Sequence, residues 1–146
     1  MEYRINELSL TLPGDGWEDS SIIRLHHPMP DGEDISFEIV RVEPPSGGLA
    51  ARVDSDIEGH RRHLRGFELL ERHSFERAGV RGALTTFRTV TPDGALYHEV
   101  AYVPLSDVLM VFRASTTTAN ASACREVIRA VVESFDLRAR DVGSPR

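Results

Sequence analysis

Lysine and glutamine are absent from this 146-residue chain, and cysteine occurs once. With Cys124 as the single thiol, no internal disulfide can form, so a packed core has to hold the fold. All 17 basic residues are arginine, and 23 acidic residues outnumber them, giving a formal net charge of −6 at pH 7. No stripe of basic residues is present. That argues against nucleic acid as a partner and against an anionic membrane surface. No apolar run approaches the roughly 18 residues that a membrane-crossing helix requires, so membrane insertion is not expected. GxSxG, the P-loop, the dinucleotide-binding glycine fingerprint and CxxC are also missing.

What is present is a chain cut by Pro and Gly into strand and helix signals. From the initiator Met, Tyr3, Ile5, Leu8, Leu10 and Leu12 alternate with Arg4, Asn6, Ser9 and Thr11, with one slip near Glu7. A period of two marks a strand with one buried face. A secretory leader would open with basic residues and a longer apolar run, so the cytoplasm is the expected compartment. Residues 20–25 (SSIIRL) and 35–42 (ISFEIVRV) read as a hairpin around Pro28-Met29-Pro30-Asp31-Gly32. On its second strand Phe37 and Ile39 point one way, Glu38 and Val40 the other. After Pro44-Pro45-Ser46-Gly47-Gly48, the residues Leu49, Val53, Ile57, His60 and Leu64 recur at helical spacing, with Ser46 as cap and Gly66 as stop.

Four strands over 67–75, 80–90, 95–103 and 108–115 should follow as an antiparallel meander. A last helix carries Cys124, Val127, Ile128, Val131, Val132 and Phe135 on one stripe, capped by Asn120 or Ser122. Leu137 should dock beyond it. The expected class is α+β: an antiparallel sheet of about six to seven strands with two main helices. It forms one domain over residues 1–138, with a flexible tail over 139–146.

Few residues suggest chemistry. There are six histidines: His26, His27, His60, His63, His73 and His98. His60 and His63 lie one helical turn apart, but zinc wants three or four ligands with a supporting shell, and neither Cys nor the HExxH glutamate stands nearby. His60 also falls on the apolar stripe, where a ring is a natural filler. Hence no metal is expected. The pairs Glu18-Asp19 and Glu33-Asp34 suit turns and caps better than acid–base work, which needs carboxylates facing across a pocket. Cys124 reads as a small buried hydrophobe. Ser46-Gly47-Gly48 reads as a flexible loop.

The surplus that needs explaining is apolar. Ile22, Ile23 and Leu25 in one strand, and Phe37, Ile39 and Val40 in the next, place apolar side chains on both faces. An antiparallel sheet normally keeps one face polar. A second apolar face wants a partner, or a helix on each side.

The opening Tyr3-Arg4-Ile5-Asn6-Glu7, then Leu12-Pro13 and Trp17, then Gly66-Phe67-Glu68-Leu69-Leu70, and the closing Ser134-Phe135-Asp136-Leu137 follow one order. This order resembles the DcrB-like family, which has the PsbP-like α/β sandwich fold. Within that family it is most similar to the Eag chaperones of type VI secretion. The resemblance implies a protein that is not an enzyme and carries no cofactor: a cytoplasmic homodimeric chaperone or adaptor that shields the N-terminal transmembrane helices of a PAAR or Rhs type secreted effector before loading. The client-binding groove it implies for this chain is Ile22, Ile23, Leu25, Phe37, Ile39 and Val40, with Ser21 and Ser36 as polar partners. The exported branch of the family is anchored through a cysteine near the N-terminus, and this chain has none there. The competing expectations are a small protein-binding regulatory or scaffold module of the same fold, and a histidine-based metalloenzyme.

Overall fold

The protein is described by a computed structural model covering residues 2–4, 8–14, 18–21 and 24–137. For residues 3, 4, 8, 18–21, 136 and 137 it describes the backbone alone.

The described elements run β1 (Glu2–Arg4), β2 (Leu8–Thr11), β3 (Glu18–Ser21), β4 (Arg24–Pro28), β5 (Asp34–Val42), α1 (Leu49–His63), β6 (Glu68–Arg77), β7 (Val80–Thr91), β8 (Gly94–Pro104), β9 (Leu109–Thr117), a 3-10 turn (Thr118–Asn120), α2 (Ala121–Ser134) and β10 (Asp136–Leu137). Seven strands form one antiparallel sheet in the order β3-β4-β5-β9-β8-β7-β6, and β1-β2-β10 form a second. The expected α+β class with two main helices is what the chain adopts.

Two expectations are corrected at the N-terminal end. The alternating segment that opens the chain reads as one strand, but it is two. Glu2 pairs with Thr11, Tyr3 with Leu10 and Arg4 with Ser9, so the chain reverses between Arg4 and Leu8. Glu7, where the alternation slips, lies outside the described residues. Residues 20–25 likewise belong to two strands, because Ser21 of β3 faces Arg24 of β4. Alternation is blind to a tight reversal when both arms keep the same period.

The β4–β5 hairpin forms as expected. Met29 N–H donates to the Glu33 carbonyl at 2.7 Å, and Gly32 N–H donates to that of Met29 at 3.0 Å. The Ala78-Gly79 turn has φ of +53° and +77°, which matches the mirror-image turn that tight hairpins favour. Ser46 does not cap α1. Gly48 holds the N-cap position, with no side-chain cap.

Each face of the large sheet has its own core. On one side α2 lays Cys124, Val127, Ile128 and Val131 against Ile35, Phe37, Ile39, Ala101, Val103, Met110, Phe112 and Ala114. Phe37 and Phe112 are nearly parallel, with centroids 6.1 Å apart. The small sheet closes the end of this layer through Leu10 and Leu12. On the other side α1 sets Val53 against Phe87, Val100, Tyr102, Leu109 and Val111. Tyr102 hydroxyl donates to Asp56 at 2.9 Å, pinning the helix to β8. The doubly apolar strands are therefore explained in part by the chain itself, which places a helix on both faces.

Candidate functional site

The two helices do not cover equal shares. Seven strands about 4.8 Å apart make a sheet roughly 29 Å wide, and one helix covers about 10 Å of it. On its face α1 packs over β7, β8 and the near parts of β9. Among the described residues no other helix lies on that side. Among the described residues the strip formed by β4, β5 as far as Val40 and the outer side of β9 is left open, with α1 as its wall, while Val42 at the end of β5 packs into the α1 cluster.

Strand register fixes what that strip presents. One row across β4, β5, β9 and β8 is His26, Ser36, Ser115 and His98. The next is Arg24, Glu38, Arg113 and Val100. The third begins at Val40 and continues through Val111 to Tyr102. Val40 is 36% exposed, among the most exposed large hydrophobic side chains described.

The polar groups are mostly engaged. Arg24 pairs with Glu38 at 2.9 Å. Ser36 hydroxyl donates to the Ser115 carbonyl at 3.5 Å. His98 bridges two hydroxyls, Thr89 through Nε2 and Ser115 through Nδ1, each at 2.8 Å. Its ring stacks on Phe87 with centroids 4.7 Å apart. Burial, then the nearby Arg113 and His60, push the His98 pKa down to about 4. His98 is thus neutral at pH 7, and among the described residues it is hydroxyls, not carboxylates, that hydrogen-bond its ring. The exception is Arg113, whose Nε is buried with no hydrogen-bond partner among the described residues. An unmet buried donor is costly, and an acceptor brought by a ligand would relieve it.

The six expected groove residues do not come together. Leu25, Phe37 and Ile39 are 1%, 0% and 0% exposed and lie in the α2 core. They are corrected from groove to core, because the layer made by α2 and the small sheet buries the face they share. Val40 points to the opposite, open face. Ile22 and Ile23, and the Ser21 side chain, lie outside the described residues. Sequence reading missed Arg113 and Ser115. Their signal was one charged residue in the otherwise apolar run of β9, on the same period as Leu109 and Val111.

The histidine pair is also resolved. His60 packs with Phe67 and Phe87 at centroid distances of 5.8 and 5.0 Å, the aromatic filler its stripe position suggests. His63 is exposed. Among the described residues no group of three or more His, Cys, Asp or Glu is placed to hold a metal ion. Glu33 N–H donates to Asp31 at 3.0 Å, turn duty for that stretch. Across the sheet, α2 and β6–β8 frame a polar cleft of about 440 Å³ whose lining includes Glu71, His73, Glu99, Arg125 and Arg129. Glu99 accepts from Tyr97 hydroxyl at 3.3 Å. Burial first raises its pKa.

Cys124 is fully buried, and burial pushes its thiol up to about 12. A thiolate is the reactive form. In native protein Cys124 should therefore resist a thiol reagent at pH 8 for hours, and react at once in denaturant. Rapid native labelling would contradict the packing of α2.

The family model described as DcrB matches residues 7–134. No curated protein matches the chain significantly. Three solved structures share the fold. A Pseudomonas aeruginosa protein of unknown function has 22% identity over 96% of this chain and 98% of its own, with a TM-score of 0.68. The cyanobacterial PsbP of Synechocystis has 16% identity over 94% and 92%, with a TM-score of 0.65. LpqN of Mycobacterium tuberculosis, which is involved in cell envelope biogenesis, has 12% identity over 90% and 83%, with a TM-score of 0.61. At these identities the likeness is one of fold, and the fold is PsbP-like.

Proposed function

This chain belongs to the DcrB family, and on that footing we propose that it is a non-catalytic chaperone of the Eag type. It holds an N-terminal transmembrane helix of a type VI secretion effector in the cytoplasm, acting as a homodimer, until the effector is loaded. One observation carries the reading: α1 covers only part of its sheet face, and the uncovered strip beside it has the width of another helix. A client helix laid against α1 would complete the layer and bury Val40.

The mixed character of the strip suits such a client. A membrane helix withdrawn from water contributes about 25 cal/mol per Å² of apolar area removed. Its polar needs are met by hydroxyls and small residues that pack closely. Ser36, Ser115 and the unmet Nε of Arg113 are complementary donors and acceptors on the receiving side. Arg24 and Glu38 would form the rim.

Co-expression with the N-terminal segment of an effector encoded beside this protein should keep that segment soluble. Val40→Asp should lower the captured amount by roughly tenfold while the protein stays folded, since a charge on the buried contact must be desolvated. Equal solubility of the segment with and without this protein would refute the chaperone reading. Full capture by Val40→Asp would move the groove elsewhere.

A further inference from the structure

The cleft between α2 and β6–β8 has no part in client binding, and it lies on the opposite face of the sheet from Val40. Its volume of about 440 Å³ falls in the range of small-molecule sites. Strand register builds its floor. Glu71 of β6 faces Thr86 of β7, and Thr86 faces Glu99 of β8. One row on the α2 side therefore presents a hydroxyl flanked by two carboxyls. Thr86 and Glu99 are 3% and 7% exposed, so this row reaches well into the layer. Phe75, Leu84 and Val132 supply an apolar side wall.

The facing wall is cationic. Arg125 and Arg129 lie one helical turn apart on the same face of α2. Arg125 is held in place by Tyr97. Its guanidinium stands 5.5 Å from that ring's centroid, and its Nε donates to the Tyr97 hydroxyl at 2.9 Å. The same hydroxyl donates to Glu99 at 3.3 Å. One oxygen thus touches both a guanidinium and a buried carboxyl, which keeps the two within the span of one small molecule. The Arg125 bond uses Nε, so among the described residues its two terminal nitrogens keep their donors for a planar carboxylate, which they match as a pair.

This pattern selects a zwitterion. A net anion would meet Glu71, Glu99 and Glu133, and a net cation would meet Arg125, Arg129 and His73. An ammonium group carries three N–H donors, and the row Glu71, Thr86, Glu99 offers an acceptor from each residue. Burial disfavours the ionised form of Glu99, and a cation brought beside it offsets that penalty. In an α-amino acid one carbon joins the ammonium to the carboxylate, which suits the close approach of Glu99 and Arg125 across Tyr97.

We propose that this cleft binds a free α-amino acid with an apolar side chain. The ammonium sits on Glu71, Thr86 and Glu99, and the carboxylate on Arg125 and Arg129. The side chain lies against Phe75, Leu84 and Val132. The site does not rest on the chaperone reading.

Calorimetric titration with L-leucine, L-isoleucine, L-methionine and L-phenylalanine tests it. At least one should bind the wild-type protein with a dissociation constant of about 1 mM or tighter. For the tightest of them, the matching acid without the amine and the matching amine without the acid should each bind at least about tenfold more weakly. Glu99→Gln and Arg125→Met should each weaken the amino acid by roughly 10- to 100-fold while keeping the wild-type circular dichroism. Glu71→Gln and Arg129→Met alter exposed residues and should also weaken it; they decide the matter if a change nearer the core unfolds the chain. No binding by any of the four amino acids, a half-ligand as tight as the whole one, or wild-type affinity in the folded variants overturns the proposal. These titrations involve no client, so their failure and the failure of client capture are separate results.

Discussion

Phe37→Ala should lower the unfolding free energy by about 3–5 kcal/mol, and Phe37→Asp should leave no folded domain. Val40→Asp, three residues further on the same strand, should cost within about 1 kcal/mol. Phe37 is 0% exposed, parallel to Phe112, and packed in the core closed by α2 and the small sheet. Removing the ring leaves a cavity between two elements that cannot both close on it, because β5 is held by β4 and β9 on either side. Val40 faces the open strip, and an introduced carboxylate there stays in water. Urea unfolding of the two variants separates these outcomes. Equal losses would mean that the layer of α2 and the small sheet does not seal this face of β5. The contrast also bears on client binding: a capture defect in a Phe37 variant reports unfolding, and only a Val40 variant reports on the groove.

The second large effect is a loss of stability in mild acid. His98 titrates near pH 4 in the folded protein, against about 6.5 when exposed. Between these values the unfolded chain binds the proton and the folded one does not. Stability therefore rises with pH through that window, is complete above about 6.5, and falls as pH drops toward 4. The span corresponds to about 3 kcal/mol for His98 alone. His60, lowered chiefly by burial and then by Arg113, adds in the same direction. Glu99 opposes them, since its raised pKa gives a contribution present in acid and lost as pH rises. Chemical unfolding at pH 7 and pH 4.5 should show the wild type losing stability with a slope that His98→Gln reduces by up to about 1.4 kcal/mol per pH unit. A slope unchanged in His98→Gln would mean that the ring is not held neutral between Thr89 and Ser115.

Periodicity made much of this architecture readable. The stripe from Cys124 to Phe135 is both the predicted and the buried face of α2. The meander β6–β9 and its turns follow from alternation punctuated by Ala78-Gly79 and Pro92-Asp93-Gly94. The split of β5 into Phe37 and Ile39 on one face and Glu38 and Val40 on the other was also legible, because side chains alternate strictly along a strand. The reversals within residues 2–11 and 18–28 were not, since a hairpin with no Pro or Gly at its turn leaves the alternation almost unbroken. Arg113 illustrates a different limit. A charged residue in an apolar strand is visible in sequence, but whether it finds a partner depends on Glu38, which the fold commits to Arg24.

Local chemistry by itself determined which faces of each element are apolar, where the chain turns, and that the sheet is antiparallel with two helices. Only the tertiary structure decided which apolar face is sealed and which is open, because that depends on how far each helix reaches across the sheet. α2 with the small sheet closes one face, and α1 closes part of the other. Leu25, Phe37 and Ile39 thus became core, while Val40 was left beside an uncovered strip.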